Sequence, residues 1–430
     1  LKDQIDHALA SGDEVSLALD LTVAFSVTDF DGDEVELGAG TIRVEVENDV
    51  PVAAGSATAS IRVDEDELST ASGDGSTGIT DGDADTDEAT FSSASLAALV
   101  TPGADEPVDI NLNGAVSGNV MTTDGTAVLS KGANVVWGTD GGALVGFVNL
   151  GGGAGFDLGV DREVFRVTDN GNGTFTFGLK DQIDHSPAAG DNGVLTLDLT
   201  DAFTAVDYDG DAVALNPDSI TVVIENDVPA ASGSATASIR VDEDELSTAS
   251  GDNSTGITDG DADTDEATFS SASLAALVTP GADEPVDINL NGAVTGNVVT
   301  TDGTAILSKG ANVVWGTDGG ALVGFVNLGG GAGFDPGTDR EVFRVTDNGD
   351  GTFTFALKDQ IDHSPAAGEN GILTLDLTNA FTATDYDGDA VTLNADSITV
   401  VIVNDIPAVA GSASCRSSVP LRRAGAHPGA

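Results

Sequence analysis

The sequence predicts an all-β chain of tandem β-sandwich modules forming an extended rod. Three observations carry this reading: a near-verbatim internal repeat, short period-two hydrophobic segments between Gly/Asp turns, and almost no helical periodicity. LKDQIDH begins at Leu1, Leu179 and Leu357, so both spacings are 178 residues (179 − 1 and 357 − 179). VDEDELSTASGD starts at Val63 and again at Val241, and Trp137 recurs as Trp315. Roughly one position in ten differs between the full copies.

Punctuation comes from VENDVP at 46–51, IENDVP at 224–229 and IVNDIP at 402–407, each an alternating apolar run closed by a proline that cannot extend a central strand. Residues 1–51 therefore read as the end of a preceding module, 52–229 and 230–407 as full modules, and 408–430 as the start of another. The chain begins mid-module without Met or a signal-peptide pattern, which reads as a fragment of something longer. Where the earlier modules continue into TASIRVDEDEL, the last residues run SCRSSVPLRRAGAHPGA, which reads as a frame slip or truncated gene end. Within a module, Val194-Leu195-Thr196-Leu197-Asp198-Leu199 and Ser219-Ile220-Thr221-Val222-Val223-Ile224 alternate as strands. Phe165-Arg166-Val167-Thr168 and Thr174-Phe175-Thr176-Phe177 form a hairpin around Asp169-Asn170-Gly171-Asn172-Gly173. One short helix is expected over 92–100, stopped by Thr101-Pro102-Gly103. Whether a 178-residue unit is one sandwich or two stays open at this point.

Composition narrows function. The 430 residues hold 15 Lys+Arg against 72 Asp+Glu, a net charge of −57, yet 40% are hydrophobic. That apolar share is too high for an acidic disordered tail. A surface this acidic repels phosphate, which excludes nucleic acid as a partner. No apolar run approaches the ~18 residues of a membrane span, and one Cys cannot build a disulfide framework. Dense carboxylates among Gly and Asn suit hard cations, which take oxygen ligands, and calcium foremost.

The sharpest candidate site is Asp29-Phe30-Asp31-Gly32-Asp33, repeated as Asp207-Tyr208-Asp209-Gly210-Asp211 and Asp385-Tyr386-Asp387-Gly388-Asp389. Three carboxylates at alternate positions, with a Gly permitting a sharp turn, can converge on one Ca2+. It is not an EF-hand: Gly falls at position 4, and position 12 is Gly40, Asp218 or Asp396 rather than Glu. The other reading of the same residues is a hairpin turn with solvated carboxylates. A second cluster joins Asp81, Asp83, Asp85, Asp87 and Glu88, matched by Asp259, Asp261, Asp263, Asp265 and Glu266. These acids repel one another unless a cation sits among them or the loop is flexible and solvated. A third is Asp64-Glu65-Asp66-Glu67, matched by Asp242-Glu243-Asp244-Glu245, just past each linker. With Asn48-Asp49 or Asn226-Asp227, these acids are expected to flank a junction where a shared ion stiffens neighbouring modules.

Catalysis finds no support in the sequence. His7, His185 and His363 are one per repeat, and each reads as a structural hydrogen bond near a strand end. No Gly-x-Ser-x-Gly elbow appears, and the sole thiol is Cys415 in the aberrant tail. Gly152-Gly153-Ala154-Gly155-Phe156-Asp157 starts like a calcium-binding nonapeptide, but Gly159 takes its aliphatic position and the motif is not tandem. It reads as a loop. Trp137 and Trp315 sit in Asn-Val-Val-Trp-Gly, an apolar strand that favours core packing over binding a sugar or surface.

Residues 179–229 carry, in order, Leu-x-Asp-x-x-Asp-His, a Gly-Asp-Asn turn, Asp-x-Asp-Gly-Asp and an Asn-Asp-x-Pro close. This order resembles the repeat modules of giant repeats-in-toxin adhesins that Gram-negative bacteria export by type I secretion. The resemblance implies extracellular, immunoglobulin-like extender modules, stiffened by calcium, that hold a distal binding domain away from the cell surface. It places the acids at 29/31/33, 207/209/211 and 385/387/389 on the family's Asp-x-Asp-Gly-Asp. The tandem nonapeptide block and C-terminal secretion signal of that family are missing from this sequence. The expected partners are calcium and neighbouring modules of the same chain. The alternative function is a carbohydrate- or surface-binding module in its own right.

Overall fold

The computed structural model describes residues 1–407 apart from 9–11, 187–188, 259–261, 365–367 and 369. The frame-slip reading of residues 408–430, with Cys415, therefore lies outside the described residues, as do Asp259 and Asp261. Among the described residues strands dominate, and the α-helices Ser93–Ala97 and Ser271–Ala275 have five residues each. No helix among the described residues is long and apolar enough to cross a membrane.

The chain divides into two compact units. One is Leu1–Ala235 with Ala272–Asn289 and Phe381–Asn394; the other comprises the described residues of Thr236–Ser271, Leu290–Ala380 and Ala395–Ala430. Two stretches of the second repeat therefore belong to the first unit.

In the first unit, one sheet orders Met121–Thr122, Val194–Asp198, Ile220–Glu225 and Ala59–Asp64. Its last pair is parallel, with Ile220 opposite Ala59 and Glu225 opposite Asp64. An antiparallel sheet orders Val136–Asp140, Ala143–Val148, Arg162–Asp169, Phe175–Leu179 and Glu88–Phe91. The inner faces of both share one core, in which Val63, Leu197, Val222 and Ile224 meet Phe91, Phe165 and Phe177. One repeat is thus one sandwich, a point the sequence left open. Packing is close enough to dictate a glycine: a Cβ on Gly146 would lie 2.1 Å from the Phe165 ring. The expected hairpin forms with Asp169 opposite Phe175, while Gly171 and Gly173 take φ of 72° and 77°.

The expected helix is shorter than the sequence suggested. Ser92 caps it by accepting from Ser95 N at 3.1 Å, but it ends at Ala97 because Val100–Thr101 pairs as a strand with Val52–Ala53. Residues 1–51 contribute Ser16–Asp20 paired with Arg43–Glu47, and Val27–Thr28 paired with Glu34–Val35. The second unit repeats both large sheets, including the parallel pairing of Ala237–Asp242 with Ile398–Val403.

Candidate metal centres

Each Asp-x-Asp-Gly-Asp segment is a hairpin loop. Phe203–Val206 pairs with Ala212–Val213, and Asp207 Oδ1 accepts from Gly210 N at 3.0 Å and Asp211 N at 2.7 Å. Gly210 has φ of 97°, in the region that favours glycine. Asp29 and Asp385 cap their own turns in the same way. One oxygen of the first acid is therefore spent on the turn, and the second and third acids remain free to reach outward.

In two of the three cases they reach the preceding repeat. Asp209 Oδ2 accepts from His7 N at 3.3 Å, and Asp211 accepts from Gly12 N at 2.9 Å and Asn48 Nδ2 at 2.6 Å. One repeat later, Asp387 Oδ2 accepts from His185 N at 3.1 Å, and Asp389 from Gly190 N and Asn226 Nδ2, both at 3.0 Å. A second loop completes each joint: the carbonyls of Asp105 and Asp283 accept from Tyr208 N and Tyr386 N at 3.2 and 3.1 Å.

The joints bury charge without a counter-charge. Asp105, Asp207 and Asp209 are all buried, with carboxylate oxygens within 4.8 Å of one another. Asp207 Oδ2, Asp209 Oδ1, Asp283 Oδ2, Asp385 Oδ2 and Asp387 Oδ1 are buried atoms with no hydrogen-bond partner, and so is the amide oxygen Oε1 of Gln182. That Gln donates Nε2 to Asp283 Oδ1 at 2.8 Å. No Lys or Arg among the described residues pairs with these acids. Desolvation first, then neighbouring carboxylates, pushes Asp283 up to about 9 and, with Asp387 the chief neighbour, Asp385 up to about 8; desolvation takes Asp207 to about 6. Asp181 shows the contrast. It is equally buried, yet Arg162, Lys131 at 3.1 Å and the Ser76 hydroxyl at 2.5 Å satisfy it.

A further acid group adjoins the second joint. Asp66, Asp191 and Asp227 bring oxygens within 4.8 Å, as do Asp64, Asp66 and Asp81, and Asp64, Asp83 and Glu225. Asp227 Oδ2 accepts from Ile79 N at 3.0 Å and Ala282 N at 2.6 Å, and a Cβ on Gly281 would lie 2.7 Å from it. Burial drives Asp66 to about 9, and Asp64 and Asp227 to about 6. Asp66 thus sits with Asp227, the linker that ends its own repeat. Asp49, in the linker before it, accepts from Ala104 N at 2.8 Å. Asp85 goes to Arg62 at 2.6 Å instead of to a cluster, and Arg240 likewise binds Asp263. In the second unit Asp242 and Asp244 are buried beside Glu243, which burial raises to about 7. Val403 stands there in the place of Glu225. Asp29, Asp31 and Asp33 converge but are exposed.

Sequence reasoning missed Asp105, Asp283, Asp191, Glu225 and Gln182. Asp105 and Asp283 each stand in Gly-Ala-Asp-Glu-Pro with no neighbouring acid pattern; their one signal was a glycine-opened loop of fixed sequence in both copies. His185 is buried with Nδ1 2.8 Å from Ile183 O and Nε2 3.2 Å from Ile224 O, the structural role expected of it. Trp137 and Trp315 stand edge-on to Phe165 and Phe343, each at 5.4 Å, and the glycine-rich segment at 152–157 is a loop between strands.

No family model matches the chain, and no curated protein matches it. Among solved structures, Drosophila N-cadherin EC1-3 is 12% identical with a TM-score of 0.18, covering 82% of this chain and 98% of that one. The protocadherin GammaB4 extracellular domain is 11% identical with a TM-score of 0.14, covering 91% of this chain and 55% of that one. Likeness at these scores carries no functional argument. What the chain has of its own is an all-β architecture of tandem sandwiches whose repeats meet through buried carboxylates.

Proposed function

We propose that this chain is a calcium-stabilised extender segment of a large adhesin on the surface of a Gram-negative bacterium. It holds a distal binding domain away from the cell. The observation that carries the reading is the set of buried carboxylates at each repeat joint, with unpartnered oxygens and no Lys or Arg among the described residues to pair with them. A buried anion must be neutralised, by a proton or by a cation. Several carboxylate oxygens with amide and carbonyl oxygens nearby form the hard-oxygen donor set of calcium. At the joints, Asp105, Asp207 and Asp209 would hold one ion, and Asp283, Asp385 and Asp387 another. A bound ion there would lock one repeat to the next.

Type I export fits the same chemistry. In the cytosol, where calcium is scarce, the joints lack their ion and the chain stays open to translocation. Outside, at the roughly 10⁻⁴–10⁻³ M affinities of extracellular modules, it folds and stiffens. The test is calorimetric titration of the full chain with CaCl2 at pH 7.5, in two buffers of different ionisation enthalpy. Binding should release protons, because ligand carboxyls that hold them in the ion-free state must give them up. Absence of calcium binding, or binding with no proton release, would count against joint acids as ligands.

A further inference from the structure

The sheet that closes the first full repeat brings acids from three separate segments to one of its ends. Val194 stands opposite Glu225, and Glu225 opposite Asp64, so one row of residues crosses three neighbouring strands. Just beyond that row lie Asp191, three residues before Val194, Asp227, two after Glu225, and Asp66, two after Asp64. Their carboxylate oxygens come within 4.8 Å of one another. Strand register, and no pattern local in the sequence, makes this group.

The surroundings fix these acids without neutralising them. A Cβ on Gly78 would lie 2.2 Å from Glu65 O and 2.4 Å from Asp66 O, so a glycine is required where this segment packs on the backbone of Asp66. The next residue, Ile79, donates its N–H to Asp227 Oδ2 at 3.0 Å, and Ala282 N adds a second bond at 2.6 Å. Asp66 is 4% exposed, and its Oδ1 is a buried atom with no hydrogen-bond partner. Glu65 beside it is wholly buried: Oε1 accepts from Ile183 N at 2.6 Å, whereas Oε2 has no hydrogen-bond partner. His185 Nδ1 lies 3.5 Å from that oxygen and is engaged with Ile183 O at 2.8 Å. Among the described residues no Lys or Arg pairs with Asp66, Asp191 or Asp227. The adjoining group of Asp64, Asp83 and Glu225 differs on this point, because Arg62 pairs with Glu225.

We infer that Asp66, Asp191 and Asp227 form a calcium site of their own, separate from the joint ion at Asp283, Asp385 and Asp387. Three converging carboxylates supply the hard oxygens that calcium prefers, and a buried, unpartnered carboxylate oxygen requires a cation or a proton. Asp191 is exposed, so water can complete the roughly six to eight ligands of the ion. The two sites have different tasks. A joint ion holds one repeat to the next, whereas an ion here ties the first strand of a repeat, Ala59–Asp64, to its last, Ile220–Glu225. They are also neighbours along the chain: Asp191 follows Gly190, and Asp227 follows Asn226, the two donors to Asp389.

The experiment is equilibrium dialysis of the full 430-residue chain at pH 7.5 against radiolabelled CaCl2 up to about 5 mM, above the affinities usual for extracellular modules. Asp191→Lys places an ammonium among the three acids at an exposed position, where the fold tolerates it. Asp201→Lys makes the same charge change at another exposed acid. Asp191→Lys should bind one calcium fewer than wild type and than Asp201→Lys, and Asp66→Asn, which keeps the shape and removes the charge, should lose that ion too. Because the sites adjoin, Asp387→Asn is compared with and without Asp191→Lys: the combination should bind one ion fewer than Asp387→Asn alone. A wild-type count in Asp191→Lys or Asp66→Asn overturns the inference, as does a combination that matches Asp387→Asn. Wild type that binds no calcium overturns this site and the joint reading together. A wild-type count in Asp387→Asn, with an ion lost in Asp191→Lys, counts against the joint alone and supports the site proposed here.

Discussion

In the absence of divalent cations, raising the pH from 5 to 8 should destabilise this protein. The usual expectation for an acidic chain, that ionised carboxylates stabilise the native state, is reversed at the joints. Unfolded, their carboxyls ionise near 4. Folded, Asp207 and Asp227 hold a proton up to about 6, Asp385 up to about 8, and Asp66 and Asp283 up to about 9. Between those limits the native state binds more protons than the unfolded state, so stability falls as pH rises, by about 1.4 kcal/mol per pH unit for each such group. Asp283 alone would cost about 4 kcal/mol between pH 5 and 8, against the 5–15 kcal/mol of a typical domain. The exposed carboxyls held low by local hydrogen bonds, such as Asp124 and Asp302, titrate below this window and do not blur it. Calcium should reverse the loss. At 10 mM ion and an affinity of 10⁻⁴–10⁻³ M, each site returns about 1.4–2.7 kcal/mol, or roughly 3–11 °C in melting temperature. The assay is differential scanning calorimetry at pH 5, 6, 7 and 8 in EDTA, in 10 mM CaCl2 and in 10 mM MgCl2. Magnesium controls for screening of the −57 charge. A melting temperature in EDTA that stays level or rises from pH 5 to 8 would refute the protonated-joint account. Equal shifts from both cations would reduce the calcium effect to screening.

Asp283→Asn keeps the acceptor for Gln182 Nε2 and removes the charge. At pH 8 in EDTA it should melt several degrees above wild type, while its calcium-induced shift shrinks, both read in the same calorimeter. Gly281→Ala places a methyl 2.7 Å from Asp227 Oδ2 at a φ of 72° and should lower stability by about 1–3 kcal/mol in urea unfolding. Gly153→Ala, whose Cβ would meet nothing within 4 Å and whose φ is not positive, is the matched control and should be neutral within ~0.5 kcal/mol.

Local structure was legible in the sequence wherever its cause is local. Strands Val194–Asp198 and Ile220–Glu225 follow their alternation, and the Asn/Gly turn after Asp169 sets its hairpin. The helix was read too long because Val100 and Thr101 answer to a partner at Val52–Ala53, a pairing with no trace in the surrounding residues. The single core had the same obscurity: it depends on Ala59–Asp64 lying parallel to Ile220–Glu225, at the other end of the repeat. The candidate site divides in the same way. Acids grouped in the chain could be found, whereas Asp105 and Asp283 join them only through tertiary contact. Identical motifs even have opposite surroundings. A hydrogen bond from Asp31 and backbone donors lower the pKa of exposed Asp29, while burial raises that of Asp207 and Asp385. The motif supplies the turn; the neighbouring repeat supplies the burial.

That dependence bears on how near-identical joints keep their order. Because the copies differ at only roughly one position in ten, the receiving residues His185, Gly190 and Asn226 recur unchanged as His363, Gly368 and Asn404. Sequence therefore gives an Asp-x-Asp-Gly-Asp loop no means of telling one receiving surface from another. Covalent connection can: a loop tethered through its own repeat meets the adjacent surface at an effective concentration of roughly millimolar. A free copy at micromolar concentration competes poorly with it, so the joints within the chain form first.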